Sequence, residues 1–314
     1  MKRTLSVALL AMLLAQPALA LDLGDLLKPL TKDNSGGGTD TSGVISNVID
    51  ATKSLTEANR TISPQEEKVI GDGLAANILG ARPLLNNQAV QHYVNEVGRW
   101  VADQAGPNDI NWRFGVIDDM DINSFSTPGG AILITKGLLL KLRSEAELAC
   151  VLGHEATHTL KHHHTRAIQA SQNKDAFGHI LQGIVAYKGN GQNQQLGANV
   201  IKGVSEVQVR GLDKGDEFEA DINGMVLCAR AGYNPYALVG VLQTLDEINP
   251  ADSSVALMFA THPSPSERLS KIDEVVGDKL DAYANGLDDT ARFHSIVGRL
   301  EGSVAATKAS KKRK

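Results

Sequence analysis

Apolar positions recur at helical spacing once the chain passes Ser63. Ile70, Leu74, Ala75 and Ile78 fall on one face, and Ser63-Pro64 supplies an N-cap followed by proline at the first helical position. A second amphipathic helix is predicted over about Asn87 to Ala105, with Val90, Tyr93, Val94, Val97 and Val101 on its apolar face. The period then changes. Trp112 to Ile117 alternates like a strand, and Ala131 to Thr135 reads as a second short strand entered through the turn Pro128-Gly129-Gly130. Ser144 caps the next helix, with Glu145 and Glu147 in its first turn, and the periodicity runs through Leu148, Val151, Leu152 and His158 to about Arg166. Further helices are expected from about Asp216 to Ala231, closed by Gly232, from Pro235 to about Asn249, and as a pair over roughly 265–300. The sum is a mostly helical α+β chain whose small sheet lies beside the helix that begins at Ser144. No internal repeat is found.

Two stretches fit none of these elements. Phe177 to Tyr187 is apolar but only about a dozen residues long, too short to span a membrane. Gly189 to Gly197 reads as a loop or hinge; it lacks the third glycine and the preceding strand of a dinucleotide-binding fingerprint.

The ends differ from the body. Residues 1–20 combine Lys2 and Arg3, an apolar run from Leu5 to Leu14 and the ending Ala18-Leu19-Ala20, the pattern of a secretory signal peptide cleaved after Ala20. Residues 21–58 form a flexible segment, with the Gly/Ser/Thr/Asp-rich run Asp33 to Gly43. No membrane span is expected in the mature chain. After about Ala305 a disordered basic tail is expected.

Composition narrows the function. Of the 314 residues 42% are hydrophobic and 21% charged, an ordinary globular balance. Aromatics are only 4%, which disfavours a surface built to stack nucleic-acid bases. Between residues 21 and 307, 24 basic residues face 36 acidic ones, so the body repels a phosphate backbone and nucleic acid is not expected as a partner.

The chemistry centres on His154-Glu155-Ala156-Thr157-His158. Residues i and i+4 share a helix face, so both imidazoles can grip one Zn²⁺, and Glu155, about 100° round the helix, can act as general base beside the metal's open position. A catalytic zinc takes three protein ligands. The third candidate lies in Glu217-Phe218-Glu219-Ala220-Asp221: Glu217 as ligand, and Asp221, on the same face, as acceptor of a hydrogen bond from a ligand histidine. On spacing alone, a solvated acidic helix start is an equal reading of that run.

Three ordered motifs give a resemblance. The run Ser126 to His158, the E-x-x-A-D of Glu217 to Asp221, and Thr261-His262-Pro263 with Arg268 are similar to those of the zinc metallopeptidase family of HtpX and the CAAX prenyl proteases, which are HExxH gluzincins. Within it the chain resembles periplasmic members of the BepA and LoiP type. The resemblance covers about residues 62–275. It implies a zincin-like domain over 59–275, followed by a C-terminal helix and the basic tail over 276–314. It implies one zinc per chain held by His154, His158 and Glu217, with Glu155 as catalytic base and Asp221 behind the ligands; Glu219 is the nearest rival to Glu217. Asn123, Gly129, Gly130, Ala131 and Ile132 match the strand beside the cleft, where an edge could hold an extended peptide. His262 matches a residue that can fill the fourth zinc position and keep the enzyme latent; a capping histidine beside Pro263 is the other reading. Arg268 is open between stabilising an oxyanion and pairing with an acid. The implied activity is a periplasmic zinc endopeptidase acting on misfolded or misassembled proteins, with links to outer-membrane assembly. The alternative is a latent or non-catalytic, chaperone-like zinc protein. Fewer than 40 residues follow about Val276, so the chain is closer to the compact LoiP type than to relatives with a helical-repeat domain.

His162, His163 and His164 continue the same run and read either as a solvated helix end or as part of a second metal site. His92, His179 and His294 lack ligand-like spacing. The two cysteines, Cys150 and Cys228, fall on the two proposed site helices. If Asp221 contacts His154 and the helices are antiparallel, the cysteines approach, and an oxidising compartment would permit a bond; two buried free thiols fit equally simply.

Overall fold

The computed structural model describes residues 62–170 and 212–311. Residues 1–61, with the expected signal peptide and flexible segment, lie outside the described residues, as do the apolar stretch Phe177 to Tyr187, the glycine-bounded run Gly189 to Gly197 and His179.

Helix α1, Pro64–Ala81, starts where the sequence places it: Ser63 donates its backbone N–H to the Glu66 carboxylate at 2.9 Å, half of a capping box. Asn87 caps α2, Gln88–Ala102, by accepting from the Val90 N–H at 3.2 Å. Three strands follow: β1, Arg113–Ile117; β2, Ser124–Ser126; and β3, Ala131–Thr135. β3 lies in the middle, parallel to β1 and antiparallel to β2. β1 is buried at four successive positions rather than at alternate ones. The reason is that helices cover both faces of the sheet: Leu133 and Ile117 pack on Ile78 of α1, while Ile132, Ile134 and Val116 join the main core with α2. β2 is not foreseen by the sequence pattern, because three residues show no usable period.

A short helix α3, Lys136–Leu139, leads to α4, Glu145–Leu160, whose N–H of Glu147 is capped by Ser144 at 3.2 Å. Every residue from Glu145 to Thr159 is buried, so α4 is the central element and not a surface helix. It ends at Leu160, earlier than expected. His162 has φ 55°, a left-handed conformation unusual for a non-glycine residue, and α5, His163–Ala170, leaves in a new direction.

The second described stretch carries α6, Lys214–Arg230, α7, Ala237–Asp246, α8, Ala256–Thr261, α9, Pro265–Val275, and α10, Thr290–Lys311. Gly232, at φ 91°, follows the end of α6. Residues 306–311, expected as part of a disordered tail, continue the helix; their stretch has alanines at 306 and 309 and no glycine or proline. Phe293, Val297 and Leu300 of α10 are buried in the main core.

α6 runs antiparallel to α4, and the register shows in four matched pairs. Cys150 is disulfide-bonded to Cys228; a side chain on Gly224 would strike Gly153 and His154; His154 contacts Asp221; and His158 contacts Glu217. Of the two readings of the cysteines, the structure has the bonded pair. Among the described residues no helix is long and apolar enough to cross a membrane.

Candidate metal centre

α4 projects His154 and His158 toward α6, one turn apart, and α6 answers with Glu217 and Asp221, also one turn apart. The Nε2 atoms of His154 and His158 are 3.1 Å apart. Glu217 Oε2 is 3.8 Å from His154 Nε2, and Glu217 Oε1 is 3.6 Å from His158 Nε2. All three side chains are at most 5% exposed.

Hydrogen bonds behind the ligands fix the protons. His154 Nδ1 lies 2.9 Å from Asp221 Oδ1, and a carboxylate can only accept, so Nδ1 carries a proton and Nε2 is the atom turned toward His158 and Glu217. Glu217 Oε2 is buried and has no hydrogen-bond partner. Two buried imidazole nitrogens 3.1 Å apart and an unpartnered carboxylate oxygen facing them are costly unless a cation lies between them. Four donors at about 2.05 Å around a tetrahedral zinc stand about 3.3 Å apart. The observed separations fit that group, and imidazoles with one carboxylate suit it chemically.

His262, just past α8, presents Nε2 at 3.8 Å from Glu217 Oε2, while its Nδ1 is 2.9 Å from Thr261 Oγ1. His154, Glu217 and His262 offer ligand atoms all within 4.8 Å of one another. Glu219 instead points to the solvent edge, 2.7 Å from Lys161 Nζ, so geometry separates it from Glu217.

Glu155 is 2% exposed and accepts a 2.6 Å hydrogen bond from Ser124 of β2. Burial would raise its pKa, but His154, His262 and the hydroxyls of Ser124 and Ser126 outweigh that and hold the carboxyl below its ordinary range, ionised and able to take a proton. Burial likewise opposes the charge on Asp221, yet Arg268 more than compensates and keeps it far below the usual carboxylate range.

Arg268 pairs with an acid. Its guanidinium grips Asp221 with Nε at 2.9 Å and with Nη2, behind His154. Arg268 does not line the cavity of about 210 Å³ that Glu155, His158 and Glu217 face, but with His154, Glu155 and His262 it lines a smaller one of about 30 Å³. The pairing with an acid is present, and the place of Arg268 in the smaller cavity with Glu155 leaves the oxyanion reading open. The expected substrate strand shifts. Ala131 and Ile132 lie in β3, which is paired on both sides and has no free edge. Gly129 and Gly130 adopt φ 78° and 96° in the turn before it and pack on Lys68 and Ile110. Among the described residues the edge beside α4 is β2, and of the five residues expected only Asn123 lines the cavity.

Sequence reasoning missed Ser124 and Ser126, and of its two readings of His163 and His164 it leaned to a solvated helix end. Ser124 and Ser126 share one side of β2, the first on Glu155 and the second 3.1 Å from His164 Nε2. The serine pair at i and i+2 directly after Asn123 was the available signal. His163 and His164 are not a solvated helix end: the break at His162 turns them inward, and His163 is fully buried.

The sequence profile of peptidase family M48 matches residues 88–276, well over half of the chain. The chain belongs to peptidase family M48. The mostly helical α+β fold, with its small sheet beside the His154–His158 helix, is the zincin-like fold of M48. Two beta-barrel assembly-enhancing proteases, of Yersinia pestis and Escherichia coli (strain K12), are each 27% identical to this M48 chain, across 68% of it and 45% of their own length. The mitochondrial metalloendopeptidase OMA1 of Schizosaccharomyces pombe is 26% identical across 62% of the chain and 56% of that protein. The chain thus spans about half the length of the curated relatives it matches.

Proposed function

We propose that this M48 chain is a zinc-dependent endopeptidase of the cell envelope, with His154, His158 and Glu217 as ligands and Glu155 as general base. The observation that carries this is the convergence of the two Nε2 atoms and the unpartnered Oε2 of Glu217 beside the buried carboxylate of Glu155. Zinc, when bound, supplies a Lewis acid that polarises a carbonyl and lowers the pKa of water. Glu155, oriented by Ser124, takes the proton of the attacking water and returns it to the leaving amine. Asp221, locked by Arg268, keeps His154 in the tautomer that leaves Nε2 free. The outer edge of β2 pairs with an extended peptide backbone, and the cavity beside it, which includes Ile78, Phe125 and Leu257, receives an apolar side chain.

The basic start, short apolar run and Ala18-Leu19-Ala20 ending support export and a periplasmic mature chain. The names of the beta-barrel assembly-enhancing relatives support misfolded or misassembled envelope proteins as substrates, with a link to outer-membrane assembly.

A second reading has its own observation. His262 Nε2 stands where a fourth protein ligand would close the site, which favours a latent enzyme, or in the limit a non-catalytic chaperone-like zinc protein. Casein degradation and zinc content, measured on wild type, Glu155→Gln, Glu217→Ala and His262→Ala, decide between them. The peptidase reading requires cleavage that Glu155→Gln abolishes with zinc retained. Latency requires His262→Ala to cleave faster than wild type. A wild type that holds one tight zinc while none of the four cleaves refutes the peptidase reading in favour of the binding protein.

A further inference from the structure

We infer that His163 and Glu219 form a relay that sets the tautomer and orientation of His158, the counterpart of Asp221 behind His154, and that the break at His162 serves to place it. The inference rests on the zinc reading above, since the tautomer of His158 matters only if Nε2 is a ligand.

His158 Nδ1 is 2.9 Å from His163 Nδ1, and His163 Nε2 is 3.2 Å from Glu219 Oε2. The carboxylate can only accept, so His163 carries its proton on Nε2 and its Nδ1 is an acceptor. The proton between the two rings therefore belongs to His158 Nδ1. That leaves His158 Nε2 bare, facing His154 and Glu217, as a metal ligand must be. On an unbroken helix His163 would sit about 140° round from His158, out of reach. With the chain turned at His162, the ring centroids lie 5.0 Å apart and His163 is sealed from solvent.

The same cluster has a rival reading. His163, Asp216 and Glu219 could hold a metal ion of their own. Their charges are already matched: Lys161 Nζ is 2.7 Å from Glu219, and Arg166 Nη2 is 2.6 Å from Asp216. Both nitrogens of His163 have hydrogen-bond partners. A second cation would have to displace two existing ones, so the relay is the better account.

The test is zinc affinity by competition with a chromophoric chelator, with zinc stoichiometry and thermal unfolding alongside, on the full-length oxidised protein. The variants are His163→Phe, His163→Asn and Glu219→Ala. His163→Phe should bind zinc about 10- to 100-fold more weakly. His163→Asn keeps an acceptor near the Nδ1 position and should recover most of that loss. Glu219→Ala changes a side chain at the solvent edge, so it should fold normally and weaken binding by less. If His163→Phe fails to fold, the asparagine and Glu219 variants decide. Zinc affinity within twofold of wild type in His163→Phe, or in Glu219→Ala where the phenylalanine variant does not fold, overturns the inference, as does a second zinc in wild type that Glu219→Ala removes. A wild type with no tight zinc overturns the metallopeptidase reading itself.

Discussion

Adding one methyl group at Gly224 tests whether the close approach of α4 and α6 builds the metal centre. A Cβ there would lie 2.7 Å from the backbone N of His154, 2.9 Å from its Cα and 3.1 Å from the carbonyl carbon of Gly153, whereas ordinary contact begins at 3.4 Å. The neighbours are backbone and cannot rotate away, so the helices must separate by about 0.7 Å, against a tolerance of about 0.2 Å in metal–ligand distances. Overpacking of this kind costs about 1–3 kcal/mol, and alanine regains about 1 kcal/mol over glycine in a helix. Gly73→Ala on α1 is the matched control, because nothing lies within 4 Å of its added Cβ. It should stabilise by up to about 1 kcal/mol, while Gly224→Ala should fall about 1–3 kcal/mol below it in urea unfolding and bind zinc at least tenfold more weakly. Equal stabilisation by the two substitutions, with zinc affinity unchanged in Gly224→Ala, would refute the argument.

Three further outcomes are expected. The Cys150–Cys228 bond closes a loop across a separation of 78 residues, so replacing both cysteines by alanine should cost about 2–4 kcal/mol; a wild-type urea midpoint that ignores reductant would contradict this. Glu145 accepts from Tyr93, Tyr233 and Arg292 at 2.9, 2.7 and 3.0 Å. Glu145→Ala should therefore lose about 3–5 kcal/mol, and Arg292→Ala, whose head is half exposed, about 1 kcal/mol or less; the reverse order in calorimetry would show that α10 is held otherwise. Burial pushes His164 down to about 4, below the 6.5 or so of an unfolded histidine. The unfolded state then binds the extra proton between those values, so the metal-free chain loses stability as pH falls from about 6.5 toward 4. His164→Gln should flatten that slope, and an unaltered slope would count against the buried neutral ring.

Much of the centre was legible because helical spacing is rigid. Once His154 and His158 share a face, and Glu217 and Asp221 share another, an antiparallel crossing brings all four together and carries Cys150 toward Cys228. Peptide-strand geometry was less legible. The Ala131 to Thr135 run is strongly apolar because it is central, covered on both faces and paired on both edges; the family resemblance set it beside the cleft, and nothing in its own pattern told a central strand from an edge. The true edge, Ser124–Ser126, is polar and three residues long. Nothing in the sequence marks the break after Leu160 either: neither glycine nor proline stands there, and His162 adopts its left-handed conformation without either. The cost of such a residue, about 1–2 kcal/mol, is met by the burial and hydrogen bonding of His163, a contact between residues that no local pattern encodes.

The brevity of β2 has a consequence for which chains can be cut. A three-residue edge offers three or four backbone hydrogen bonds, each worth about 1 kcal/mol net. A folded domain resists opening by about 5–15 kcal/mol. If β2 is the docking edge, as proposed, binding on Ser124–Ser126 would not supply that difference, and the edge would admit only segments that are already extended, almost regardless of their side chains. Selection of this kind would read the conformational state of the target rather than its sequence, and proteins that reach their native structure would escape it by doing so.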